Sequence, residues 1–97
     1  MKNDSIVIIP TYNEKENIEA IIKAVTSQEK PFDVLVIDDG SPDGTAAIVK
    51  RMMEGSYKGR LFLVERKGKL GLGTAYIRGF KWALEHQYEY IFEMDAD

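Results

Sequence analysis

The chain has no cysteine, and only three prolines, one histidine and one tryptophan among its 97 residues. Without cysteine there is no disulfide framework and no thiolate metal site, a composition that suits a reducing compartment. Long apolar runs are missing too: the longest early one is Ile6 to Ile9. A secretory leader needs about 7–15 apolar residues and a membrane span about 18 or more. The expectation is therefore a soluble, cytoplasmic chain. Positive charge is not in excess, since 13 Lys and Arg face 16 Asp and Glu for a net charge of -3. That argues against a nucleic-acid partner, which would call for a basic surface. There is no room for a second domain either, because typical domains run about 100–150 residues. What is present is 44% hydrophobic and 30% charged, the balance of a globular chain with one core.

Four short apolar runs stand out: Ile6 to Ile9, Val34 to Ile37, Leu61 to Val64 and Tyr90 to Met94. The first three are continuous Ile, Val, Leu or Phe, which suits strands buried on both faces of a parallel sheet. Three helical patterns lie between them. Ile18, Ile21, Ile22 and Val25 follow the i, i+3, i+4, i+7 rule, with Asn13 and Glu16 as a predicted helix start. Ile48, Val49, Met52 and Met53 form a second stripe. Ser41-Pro42 is its predicted cap and first-turn proline, and Gly55 its predicted stop. Ile77, Phe80 and Leu84 form a third stripe, entered through Gly68 to Gly73. The order β-α-β-α-β-α-β predicts an α/β sheet with right-handed crossovers.

Ligands of such sheets sit beyond the carboxyl ends of the strands. The stretches to inspect are then Pro10 to Glu14, Asp38 to Thr45, Lys67 to Gly73 and Asp95 to Asp97. Asp38-Asp39 and Asp95-Ala96-Asp97 each set carboxylates together at a strand end. Neighbouring carboxylates repel unless they are solvated, accept N–H bonds or share a cation. Hard cations such as Mg²⁺ and Mn²⁺ take oxygen ligands and bridge to phosphates. Two structural alternatives stand beside that reading: Asp95 and Asp97 as a solvated chain end, and Asp38-Asp39 as a capped turn within Asp-Gly-Ser-Pro. Tyr12 and Glu14 are placed to pack on a base and to accept from a hydroxyl, or else to cover the core and start a helix. Lys67 to Gly73 opens a helix with glycines that admit a ligand close to the backbone. It is neither a Walker loop nor a dinucleotide fingerprint. His86, Trp82 and the methionines read as structural, and Tyr57, Tyr88 and Tyr90 sit in no motif. Taken together, these loops describe a binder of a nucleoside diphosphate.

Ile9-Pro10-Thr11-Tyr12-Asn13-Glu14, Val36 to Thr45 and Met94-Asp95-Ala96-Asp97 resemble the GT-A family 2 glycosyltransferases. Lys69-Leu70-Gly71-Leu72-Gly73-Thr74-Ala75-Tyr76 narrows the resemblance to the dolichol-phosphate (polyprenyl-phosphate) mannosyltransferases. It covers the whole chain, with all four motifs in order, and the fold expected with it is a Rossmann-like α/β half-domain, mostly parallel, in strand order 3-2-1-4. The resemblance implies transfer of a sugar, usually mannose from GDP-mannose, to a polyprenyl or dolichyl phosphate with inversion. It implies that Pro10, Tyr12 and Glu14 line the guanosine site and that Ile37 and Asp39 meet the base or ribose. It places Asp95, Ala96 and Asp97 on the sugar nucleotide, with Asp95 and Asp97 on Mg²⁺ or Mn²⁺. Lys67 or Lys69 would attract phosphate.

Family members continue well past Asp-x-Asp, so residues 1–97 are expected to be the N-terminal, donor-binding part of a GT-A domain. These 97 residues alone are expected to be inactive and to self-associate through an open sheet edge. The parent enzyme is expected to act at the cytoplasmic face of a membrane. The alternatives are a family 2 transferase using UDP-glucose or another donor, a phospho-acceptor receiver domain, and a nucleotide-binding module without chemistry. The receiver reading fits poorly, since its acidic pair belongs after the first strand and its lysine after a fifth.

Overall fold

The computed structural model describes residues 3–68 and 71–96. Seven elements alternate along the chain: β1 (Ser5–Thr11), α1 (Ile18–Thr26), β2 (Asp33–Asp38), α2 (Thr45–Glu54), β3 (Leu61–Glu65), α3 (Leu72–Glu85) and β4 (Tyr90–Glu93). The strands form one sheet in the order β3-β2-β1-β4, and every pairing is parallel. This is the order expected from the sequence, and the fold is Rossmann-like. Among the described residues no helix is long and apolar enough to cross a membrane.

Strand alternation divides the core in two. On one face Val7, Ile9, Val34, Val36 and Leu61 pack against Ile18, Ile22 and Val25 of α1 and Val49 and Met52 of α2. On the other, Ile6, Ile8, Leu35 and Ile37 pack against Ala75 and Ala83 of α3, with Tyr88. β1 and β2 are buried along their whole length, as their unbroken apolar runs predict. β3 is only partly buried, because it is an edge strand.

Three local expectations are corrected. Two of the three residues expected as the apolar stripe of α3 do not face the core, Ile77 being 57% exposed and Leu84 65%, while Phe80 is partly buried against it. The buried residues are Ala75, Gly79 and Ala83, spaced by four. A β-carbon added at Gly79 would lie 2.6 Å from Ile8 Cγ2. The helix lies so close to the sheet that only small side chains fit directly between them, and Tyr76, Phe80 and Trp82 pack around that contact, partly buried.

Asn13 does not start α1. It adopts the left-handed conformation (φ 58°), and the helix begins at Ile18 after a turn. Ser41 does not cap α2, which begins at Thr45 after Gly44. The Thr45 amide instead donates to Asp43 Oδ1 at 3.0 Å, and the Ser41 side chain is used between loops. Gly55 does close α2.

Candidate functional site

The carboxyl ends of β1, β2 and β4 and the start of α3 surround one cleft of about 320 Å³. That is within the size range of small-molecule sites. Its lining is Pro10, Thr11, Tyr12, Glu14, Asp39, Gly71, Leu72 and Asp95. Five of the residues expected from the sequence, Pro10, Tyr12, Glu14, Asp39 and Asp95, therefore meet there. Ile37 and Ala96 do not line it. Ile37 has no exposed surface and belongs to the core against α3, while Ala96 is buried in the core on the opposite face. Asp97 and Lys69 lie outside the described residues. Lys67 is exposed and away from the cleft.

The walls of the cleft are stapled by side chains. The two neighbouring aspartates divide their work. Asp38 is buried, and its carboxylate accepts from Thr11 Oγ1 at 2.7 Å, Ser41 N at 3.0 Å and Ser41 Oγ at 2.6 Å. It is the turn-capping residue, and it relieves its own burial with three donors. Ser41 Oγ in turn accepts from the Asn13 amide at 2.9 Å. Thr45 Oγ1 accepts from the Glu14 amide at 3.0 Å, and Asp43 Oδ2 accepts from the Lys15 amide at 3.1 Å. The Thr45 hydroxyl, donating to Asp43, holds that carboxyl below its ordinary value. The loop after β1 is thus fixed to the loop after β2, which sets Tyr12 and Glu14 at the cleft.

Asp39 takes the opposite role and faces the cleft. Its carboxylate is gripped by Arg66, with Nε to Oδ1 at 2.6 Å and Nη2 to Oδ2 at 2.9 Å. Arg66 was not among the residues singled out from the sequence, which weighed only Lys67 and Lys69 as cations. A signal was nevertheless present, because Arg66 directly follows β3 at the ligand-bearing edge of the sheet. At Gly40, φ is +72° and an added β-carbon would lie 3.0 Å from Gly68 N, so the loops after β2 and β3 touch there. Tyr76, on α3, has its phenol pushed above the ordinary value by burial, then by the charges of Asp95 and Glu93.

Chemically the cleft offers an aromatic ring, carboxylate oxygens and the amino end of a 14-residue helix, which favours anions. Its polar donors to an ion are all oxygen, suited to a hard divalent cation. Among the described residues no group of three acidic, histidine or cysteine side chains is close enough to hold a metal unaided. Carboxylate oxygens at the cleft could take part in holding such an ion together with the oxygens of a bound ligand, the usual habit of Mg²⁺ at phosphates.

Relatives bear on this arrangement. Over 93 residues the chain is 44% identical to a polyprenol monophosphomannose synthase of Mycolicibacterium smegmatis, covering 96% of this chain and 35% of that protein. Over 94 residues it is 43% identical to an undecaprenyl-phosphate mannosyltransferase of Micrococcus luteus, covering 95% of this chain and 37% of that protein. The chain thus spans little more than a third of the length of the curated relatives it matches. Among solved structures it superposes on a mannosyltransferase of Pyrobaculum calidifontis in complex with GDP-Man and Mn²⁺. The TM-score is 0.75 and the identity 32%, over 84% of this chain and 25% of that one. Residues 6–97 match the family description "Glycosyl transferase family 2". With the sheet order, the cleft and these likenesses in agreement, the chain belongs to glycosyl transferase family 2.

Proposed function

We propose that this chain is the donor-binding part of a glycosyltransferase that moves mannose from GDP-mannose to a polyprenyl phosphate, with inversion. The observation that carries the reading is the convergence of Tyr12, Glu14, Asp39 and Asp95 on one cleft at the carboxyl edge of the sheet. The mannosyltransferase names of the relatives support the donor and the acceptor class.

In this reading Pro10 and Tyr12 form the wall against the base. Glu14 and Asp39 accept from ribose hydroxyls or base N–H groups. Ile37, being inaccessible, backs Asp39 from the core. Asp95, with Ala96 and Asp97 after it, serves the diphosphate and the sugar, and Asp95 and Asp97 hold Mg²⁺ or Mn²⁺. Such an ion, when bound, neutralises charge developing on the departing diphosphate. A lipid phosphate is already anionic near neutral pH, so the acceptor needs no strong base among these residues.

The reading extends to place and assembly. A lipid acceptor calls for a membrane surface, and the cytoplasmic face is proposed as its place. β4 and the residue after it present Tyr90, Phe92 and Met94, each at least 40% exposed, at the sheet edge opposite β3. Residues 1–97 alone are proposed to associate through that edge, and to bind donor without completing transfer.

Calorimetric titration of GDP into the chain, with and without Mn²⁺ and with UDP as comparator, tests the reading. GDP binding that is strengthened by Mn²⁺ and weakened by Asp95→Ala is the expected result. A UDP preference would keep the transferase and change the sugar. A folded chain that binds neither nucleotide in the presence of Mn²⁺ would sink the donor-site assignment.

A further inference from the structure

The side chain with the most extensive contacts beside the cleft is Arg66. Four of its N–H contacts are resolved. Nε and Nη2 fork onto the two oxygens of Asp39 at 2.6 and 2.9 Å. Nη1 donates to Thr74 Oγ1 at 3.1 Å, and Nη2 also reaches the Gly71 carbonyl at 3.4 Å. Its own backbone amide donates to the Asp38 carbonyl at 2.7 Å. The guanidinium is thereby pinned between two walls of the cleft, the turn after β2 and the first turn of α3. The ion pair is nearly out of solvent, with 11% of the Arg66 side chain and 7% of the Asp39 side chain exposed.

We propose that Arg66 is a positioning residue, tying Asp39 to the start of α3 so that the nucleoside-facing carboxylate and the glycine-rich turn keep one arrangement. The proposal rests on the nucleotide reading of the cleft.

Three physical points lead to it. A carboxylate has about four lone-pair sites, and the fork uses one on each oxygen. Asp39 is therefore charge-balanced and fixed in rotation, yet retains acceptor capacity toward the cleft. Only a planar fork can do this while keeping a further N–H for Thr74, and a lysine ammonium at Arg66 could not reproduce the geometry. The segment being tied also needs an external anchor. Gly71, at the N-cap of α3, has φ 103° and no side chain with which to cap the helix, and Thr74 Oγ1 donates to the Gly71 carbonyl at 2.8 Å. Arg66 supplies that anchor from a neighbouring strand end. Ordering the turn before the ligand arrives lowers what binding must spend on ordering it.

The test is a double-mutant cycle on GDP binding to the chain in Mn²⁺, using Arg66→Gln, Asp39→Asn and the pair together, with Arg66→Lys and Thr74→Val alongside. Each single change at Arg66 or Asp39 is expected to weaken GDP at least tenfold. The pair should be no weaker than the worse single change, because the two residues act as a unit. Arg66→Lys should not restore affinity, and Thr74→Val should weaken it several-fold. Amide exchange at Gly71 to Ala75 should accelerate in Arg66→Gln at unchanged exchange in β1 and β2, which a general loss of stability would not produce. The pair also covers the case in which Arg66→Gln alone does not fold, since it removes both charges together. GDP affinity within twofold of the parent in Arg66→Gln, or losses that simply add in the cycle, would overturn the proposal while leaving the nucleotide site intact. Absence of GDP binding by the unaltered chain would instead remove the site reading, and this role with it.

Discussion

The Tyr88 hydroxyl donates to Asp33 Oδ2 at 2.6 Å, joining two buried residues 55 positions apart at the end of the sheet away from the cleft. Asn3 Nδ2 serves the other oxygen of Asp33 at 2.8 Å. Burial, followed by the bond to Asp33, pushes the Tyr88 phenol well above its ordinary value of 10.0. The sign follows from linkage. A phenol whose folded value is raised contributes stability that is complete below its unfolded value and is lost as pH rises past it. The chain should therefore lose stability as pH climbs above 10. Tyr88→Phe should be less stable at pH 7 by about 1–3 kcal/mol, since a buried acceptor loses its donor. It should also show a flatter alkaline limb. Urea unfolding of both proteins between pH 7 and 11 checks this, and parallel alkaline limbs would contradict it.

Neighbouring aspartates should separate stability from binding. Asp38→Ala removes the acceptor for Thr11 and for both donors of Ser41, so a loss of about 3 kcal/mol is expected from bonds to a charged group. Asp39→Asn turns one arm of the fork into a donor facing a donor, and should weaken GDP strongly with a smaller loss of stability than Asp38→Ala. Chemical denaturation and calorimetry on both variants would show this split, and equal losses of stability would argue against it.

Close approach of α3 to the sheet makes Gly79 intolerant of bulk. Its added β-carbon would lie 2.6 Å from Ile8 Cγ2, and Ile8 is fully buried with no free direction to move. Gly79→Val should cost about 1–3 kcal/mol by overpacking. By contrast Ile77→Ala, at a position 57% exposed, should fall within about 0.5 kcal/mol of the parent. Thermal melts of the two variants rank them, and a reversed order would mean that α3 packs differently.

Gly40 holds the loops after β2 and β3 together. Its φ of +72° disfavours any other residue, and its β-carbon would press on Gly68 N at 3.0 Å. Gly40→Ala should lower stability by about 1–3 kcal/mol and weaken GDP, because Asp39 and Arg66 flank that contact. A variant with unchanged melting temperature and unchanged affinity would show the contact to be dispensable.

Much of the fold was legible along the chain. Continuous Ile and Val in β1 and β2 announce strands buried on both faces, and the helices between the strands announce parallel pairing through right-handed crossovers. Cleft residues were legible for the same reason. Tyr12, Glu14, Asp39 and Asp95 sit at or just beyond strand ends, where α/β sheets place ligands. Helix faces and caps were less legible. Ile77 and Leu84 obey helical spacing, but spacing cannot reveal how near a helix lies to its sheet. Asn13 and Ser41 carry capping side chains, and those side chains bond across loops rather than along their own helices.

The sequence by itself determined the alternation of elements, the parallel sheet and the edge at which function sits, because these follow from local periodicity and chain connectivity. Tertiary structure alone decided the partners that hold these residues. It tied Asp38 to Thr11 and Ser41, gave Asp39 the fork of Arg66, and gave Tyr88 a buried partner 55 residues away. Those outcomes depend on distances between strand ends that are remote in the chain, and no local pattern encodes them.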